Sequence, residues 1–152
     1  MQGVMVDVWW GIVERAHPLV YDFVGYRKLF DCVRAAGLDI QAVMSFHSAG
    51  SNVGDTCQID LPPWVLEVGE DNPDIFYTDA SGLLSKDCLS TGCLDEPVLL
   101  GRSPLQVCHQ ILSGTVSYSD TIDAELDMVA NCAIQTSPRF VQFKRHQGSK
   151  AH

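Results

Sequence analysis

The sequence predicts an α/β fold in which parallel strands alternate with helices. Three observations point there. Two runs are nearly continuous in apolar, β-favouring residues, a helix-spaced apolar pattern lies between them, and a long loop-textured stretch follows the second run. The first run, Gly3 to Trp10 (GVMVDVWW), has the composition of a strand covered on both faces, as in a parallel sheet. Asp7 interrupts it, and an ionised carboxylate in such a run must be paired or open onto a polar cavity. Pro18 and its neighbours make a connection. Tyr26, Leu29, Phe30, Val33 and Leu38 then recur at spacings of three to five, which predicts an amphipathic helix stopping at Gly37. Leu38 to Phe46 (LDIQAVMSF) reads as a second buried strand. Strand, helix and strand in this order form a βαβ unit with a right-handed crossover.

Beyond Phe46 the texture changes. His47 to Asp60 (HSAGSNVGDTCQID) is loop-like, and Pro62-Pro63-Trp64-Val65-Leu66 predicts a short helical turn with proline at its first positions. Glu67 to Arg102 is rich in turn signals: Asn72-Pro73, Ser81-Gly82, Thr91-Gly92 and Glu96-Pro97. So long an excursion inside a compact unit usually carries function. Ser103-Pro104 reads as an N-cap followed by the first helical position, opening a helix through about Leu112. Asp120 to Ala133 is expected to be a further amphipathic helix through Ile122, Leu126 and Val129, with no third strand after it.

Composition narrows the class of function. The 152 residues are 46% hydrophobic and 19% charged, globular rather than disordered. Ten basic residues against nineteen acidic ones give a net charge of −9, which argues against a phosphate-tracking nucleic-acid binder or an anionic-membrane binder. All nineteen acids lie between Asp7 and Asp127, whereas Arg139, Lys144, Arg145 and Lys150 close the chain with no acid among them. That end reads as a solvated tail. No apolar run approaches the roughly 18–20 residues that span a bilayer. Without a leader-like start, Cys32, Cys57, Cys88, Cys93, Cys108 and Cys132 are expected to be free thiols in a reducing compartment. Cys88 and Cys93 lack a second matching pair, so neither zinc nor another cofactor is expected.

Polar groups at the carboxyl ends of parallel strands face the ligand crevice. Asp7 lies near the end of the first strand, His47 follows the second, and Asp55 sits in the loop whose Gly50 and Gly54 let backbone approach a ligand. With Trp9 and Trp10 nearby, this set suits a carbohydrate: carboxylates and imidazole bond hydroxyls, and aromatic faces cover the apolar side of a sugar ring. Each residue also has a plain structural use. Asp7 could cap a strand, His47 could be a core histidine, and Asp55 could form a turn.

The strings themselves carry a resemblance. Gly3-Val4-Met5-Val6-Asp7-Val8-Trp9-Trp10-Gly11-Ile12-Val13-Glu14 resembles the first strand of the β-amylases. Met44-Ser45-Phe46-His47, with Gly50, Asn52, Val53, Gly54 and Asp55, is similar to that family's mobile-loop signature His-x-Cys-Gly-Gly-Asn-Val-Gly-Asp. Leu61-Pro62-x-Trp64-Val65-Leu66, Asp74-Ile75-Phe76-Tyr77-Thr78, Asp95-Glu96-Pro97 and Gly101-Arg102 follow in the family's order, so the resemblance covers roughly residues 3–108. Ala49 stands where the signature has Cys, and Ser51 where it has its second Gly.

The resemblance implies a partial (β/α)8 barrel: about two β/α units with a long loop after the second strand. Residues 1–112 would form the N-terminal part of the catalytic domain, and 113–152 a divergent tail. It implies hydrolysis of α-1,4-glucosidic bonds in starch-like polysaccharides, releasing maltose from non-reducing ends. Asp7, His47 and Asp55 would bind glucose units, and Gly50, Ser51, Asn52, Val53 and Gly54 would form the mobile loop. Inverting hydrolysis needs two carboxyl groups about 6.5–9.5 Å apart. The family's two glutamates lie in later segments, the first in a Gly-Glu-Leu-Arg-Tyr-Pro-Ser-Tyr-like stretch that nothing here matches. These 152 residues are therefore expected not to hydrolyse starch alone. The partner expected is starch or a maltooligosaccharide, in the cytoplasm or a plastid, and the alternative is a non-catalytic glucan-binding or regulatory chain.

Overall fold

The structure, a computed structural model, describes residues 3–50, 53–119, 127–131 and 141–142. Strand β1 (Gly3–Trp9) runs directly into a single helical turn, α1 (Trp10–Val13); helix α2 (Val24–Ala35) then leads to β2 (Asp39–Ser45). The two strands pair in parallel, with Asp7 opposite Val43 and Trp9 opposite Ser45, as the βαβ reading requires. Helix α2 ends two residues ahead of Gly37, and its Tyr26 is buried. The Tyr26 hydroxyl accepts the Trp9 N–H at 2.9 Å, so the helix holds the strand end that carries the candidate site.

After β2 the excursion is more structured than its turn signals suggested. Helix α3 (Pro63–Asp71) extends the predicted turn to nine residues. A 3-10 turn (Pro73–Ile75) leads to the antiparallel hairpin of β3 (Phe76–Thr78) and β4 (Leu84–Leu89), and a second (Thr91–Cys93) follows it. Helix α4 (Pro104–Ser119) begins where Ser103-Pro104 predicts and runs seven residues past Leu112. Its start is a reciprocal cap. The Gln106 N–H donates to Ser103 Oγ at 3.2 Å, and the Ser103 N–H donates to Gln106 Oε1 at 2.9 Å.

Two expectations are corrected. The amphipathic helix read over Asp120 to Ala133 is not what forms at its centre: Asp127–Asn131 is a strand, β5, parallel to β2 with Met128 opposite Ala42 and Ala130 opposite Met44. The helical spacing rested on Ile122, Leu126 and Val129, of which the first two lie outside the described residues; Asp127–Asn131 instead pairs with the second edge of β2. A short strand β6 (Val141–Gln142) pairs antiparallel with β5, giving the sheet order β1-β2-β5-β6. The second correction concerns β1, read as covered on both faces. Among the described residues it is the edge strand. Its residues alternate between exposed and half-buried before Val8, and Met5 is 70% exposed. The strand buried on both sides is β2, at Ala42–Ser45.

One apolar core joins these elements. Val8, Trp10 and Val13 meet Ala42 and Met44 from β2, Phe46 just after it, Trp64 and Val65 from α3, and Val107 and Ile111 from α4. The Trp10 ring lies 5.8 Å from Trp64 edge-on and 5.7 Å from Phe46, an arrangement worth about 0.5–1.5 kcal/mol per pair beyond burial.

Candidate functional site

The carboxyl ends of β1 and β2 lie side by side because the strands are parallel and in register to their last residues. Asp7 is exposed on β1, and the buried Ser45 hydroxyl donates to its Oδ1 at 3.2 Å. His47, two residues past the end of β2, packs its ring edge-on against Trp9, with centroids 5.2 Å apart. Burial depresses the His47 pKa below 6.5, while the negative charges of Asp7 and then Asp87 pull it back up. The imidazole is therefore mostly neutral at pH 7. Its Nδ1 is shielded and has no hydrogen-bond partner among the described residues. Such orphans are few in folded proteins.

The loop after His47 is tied down residue by residue. The Ser48 N–H donates to the Asp87 carbonyl at 2.7 Å, and the Ser48 hydroxyl donates to Asp87 Oδ1 at 2.8 Å. Ala49 exchanges two backbone bonds with Ile59, at 2.8 and 2.9 Å. The Gly50 N–H donates to the exposed Asp55 carboxylate at 3.0 Å. Gly50 has φ +111°, and a Cβ there would meet the Gln58 side chain and the Cys57 carbonyl, so both conformation and space exclude a larger residue. Gly54 has φ +100°, and Val53 beside it is fully exposed. Ser51 and Asn52 lie outside the described residues.

Asp7 and His47 thus meet at one strand-end mouth with Trp9, and Asp55 is joined to the same loop through Gly50. Asp87 was missed by sequence reasoning. It sits in a short β-strand of mixed polarity, and its partner Ser48 is too far along the chain for any local pattern to show. Glu14, at the end of the first string, is 0% exposed and accepts bonds from the Trp10 indole N–H at 2.8 Å and the Leu19 N–H at 2.6 Å. Arg102 lies 3.1 Å from its Oε1, close enough to attract but off-axis, so Nη2 has no aligned acceptor. This is framework beneath the mouth. Cys32, Cys57, Cys88 and Cys93 are free thiols, and burial raises the pKa of the last two. Among the described residues no cluster of three or more His, Cys, Asp or Glu could hold a metal, and no helix is long and apolar enough to cross a membrane.

The model of glycosyl hydrolase family 14 matches residues 1–138, past the point near Cys108 where resemblance by eye ends. A β-amylase of Glycine max is 50% identical over 151 residues, covering 97% of this chain and 30% of its own length. Chloroplastic β-amylase 2 of Arabidopsis thaliana is 52% identical over 107 residues, or 70% of this chain and 20% of that protein. The catalytic domain of a β-amylase from Paenibacillus polymyxa superposes with a TM-score of 0.69 at 26% identity, covering 86% of this chain and 29% of that one. This chain spans about 30% of the length of several curated relatives it matches. On the family match and on this extent of identity, the chain belongs to glycosyl hydrolase family 14.

Proposed function

We propose that this chain supplies the sugar-binding end of a β-amylase cleft, serving hydrolysis of α-1,4-glucans to maltose, on a sheet that is part of a (β/α)8 barrel. The observation that carries this reading is the grouping of Asp7, Trp9 and His47 at neighbouring parallel strand ends, with Asp55 bonded to the loop that leaves His47. A glucose unit offers vicinal hydroxyls and an apolar ring face. Asp7 accepts hydroxyl protons, and a neutral His47 can both donate and accept. Trp9 packs against the imidazole and gives the mouth an aromatic wall. Gly50 and Gly54 bring backbone rather than side chain to the sugar, and Asp55 adds a second carboxylate.

Cleavage is a separate matter from binding. Glu14 is committed to Trp10, Leu19 and Arg102, and lies buried. Glu67, Glu70 and Glu96 are exposed on α3 and in the turn before α4. None of these four lies in a segment that matches the family's catalytic stretches. The 152-residue chain is thus expected to bind maltooligosaccharide and to leave starch intact.

Titration calorimetry with maltose on this chain and on Asp55→Ala, alongside a reducing-sugar assay on soluble starch, tests both halves. Binding weakened about tenfold by Asp55→Ala, a value typical for losing one bond to a charged group, supports the reading. Equal binding by the two proteins removes Asp55 from the site, and maltose release by this chain refutes the assignment of cleavage elsewhere.

A further inference from the structure

We propose that Asp87 is a positioning residue of this mouth: by holding Ser48 at both its amide and its hydroxyl, it fixes the backbone that carries His47 and opens the Gly50 loop. The sugar-binding consequence rests on the function proposed above; the positioning itself does not. Asp87 lies on β4, in a hairpin formed from the excursion, yet it reaches back to the first residue after His47. Its carbonyl takes the Ser48 N–H at 2.7 Å and its Oδ1 takes the Ser48 hydroxyl at 2.8 Å, while its own N–H donates to Ser85 Oγ at 3.2 Å. A two-point hold on one residue fixes rotation as well as position. Ala49 is next secured by Ile59, and Gly50 by Asp55, so three consecutive residues each have a distinct anchor. Of these anchors, Asp87 is the one whose charge also acts on His47, together with that of Asp7. The hairpin thereby joins the mouth, although none of its side chains belongs to the loop signature.

Removing the carboxylate leaves the backbone bond and loses the hydroxyl bond and the charge. Asp87→Ala and Ser48→Ala should then have the same effect on the loop. Asp87→Asn keeps an acceptor oxygen and should restore it. Amide hydrogen exchange on the ligand-free chain reads this directly, with Val65 in α3 as the remote reference. The expected result is exchange at Ser48 and Gly50 about tenfold faster in Asp87→Ala and in Ser48→Ala, with Val65 unchanged. Asp87→Asn should lie near the unaltered chain, and the double variant should be no faster than either single one. Maltose affinity should fall by a similar factor in the same two variants. Unchanged exchange at Gly50 in a folded Ser48→Ala protein overturns the proposal, as does equal acceleration at Val65, which would make the role one of general stability. If the unaltered chain binds no maltose, the proposed function fails, and the exchange result still decides whether Asp87 positions the loop.

Discussion

Glu14 shows how one buried charge is made tolerable. Its carboxylate takes the Trp10 indole and the Leu19 amide, its backbone carbonyl takes the Trp64 indole N–H at 2.9 Å, and Arg102 supplies the counter-charge while stacking 5.2 Å above the Trp64 ring. The bond to Leu19 helps hold that residue at φ +66°, a conformation costing a non-glycine residue about 1–2 kcal/mol. Arg102→Met should cost about 3–5 kcal/mol, because it strands Glu14 without its cation, and Glu14→Gln in the same protein should recover much of that loss. Urea unfolding of the two single variants and the double one checks this. His47 gives a pH-dependent counterpart. Its folded pKa is depressed, so between that value and 6.5 the unfolded chain binds a proton that the folded chain refuses. Its contribution to stability is therefore full above about 6.5 and is lost as pH falls through that window. A plot of urea midpoint against pH should rise across the window, and His47→Asn should flatten it. At this scale the strand-end positions of Asp7 and His47 and the glycine-flanked loop position of Asp55 were legible, because these are local features. Glu14 with Arg102, and Asp87 with Ser48, were not, since each pair is made by the fold and neither leaves a pattern in its own segment.

Among the elements, β1, α2 and β2 were readable because apolar runs, helical spacing and Gly37 agreed with one another. Helix α4 was readable from two residues. Ser103 and Pro104 set its start, and the reciprocal bond with Gln106 confirms the cap. Ser103→Ala should cost about 1 kcal/mol, seen as a lowered thermal midpoint with the spectrum of the folded state unchanged. Strand β5 was misread because its five residues are too short to show a period of their own, and helix-like spacing upstream dominated. What identifies it is its neighbour: β2 is apolar at Ala42, Val43 and Met44 and needs cover on its second edge. The excursion after β2 was legible as a long connection but not as the elements it holds. Its hairpin was invisible in advance, since β3 has only three residues and its register shifts between Phe76 and Tyr77.

Taken whole, the molecule places its candidate site and its buried core in different layers. Trp10, Trp64, Phe46 and the Glu14 pair form the interior, while Asp7, His47 and the glycine loop sit at the strand ends above them. A substitution in the lower layer should lower stability first and sugar affinity only through it; one at Asp55 should do the reverse. The net charge of −9 works against a phosphate-bearing ligand. The position of β1 has its own consequence. Along its outer side, alternate backbone amides and carbonyls have no ladder among the described residues, and Met5 stands proud of the surface. A row of this kind is a template: two molecules meeting there can zip together through main-chain bonds, with little regard for side-chain identity. In concentrated solution, self-association along that seam would compete with folding, and a lysine in place of Met5 would blunt it by setting charge against charge.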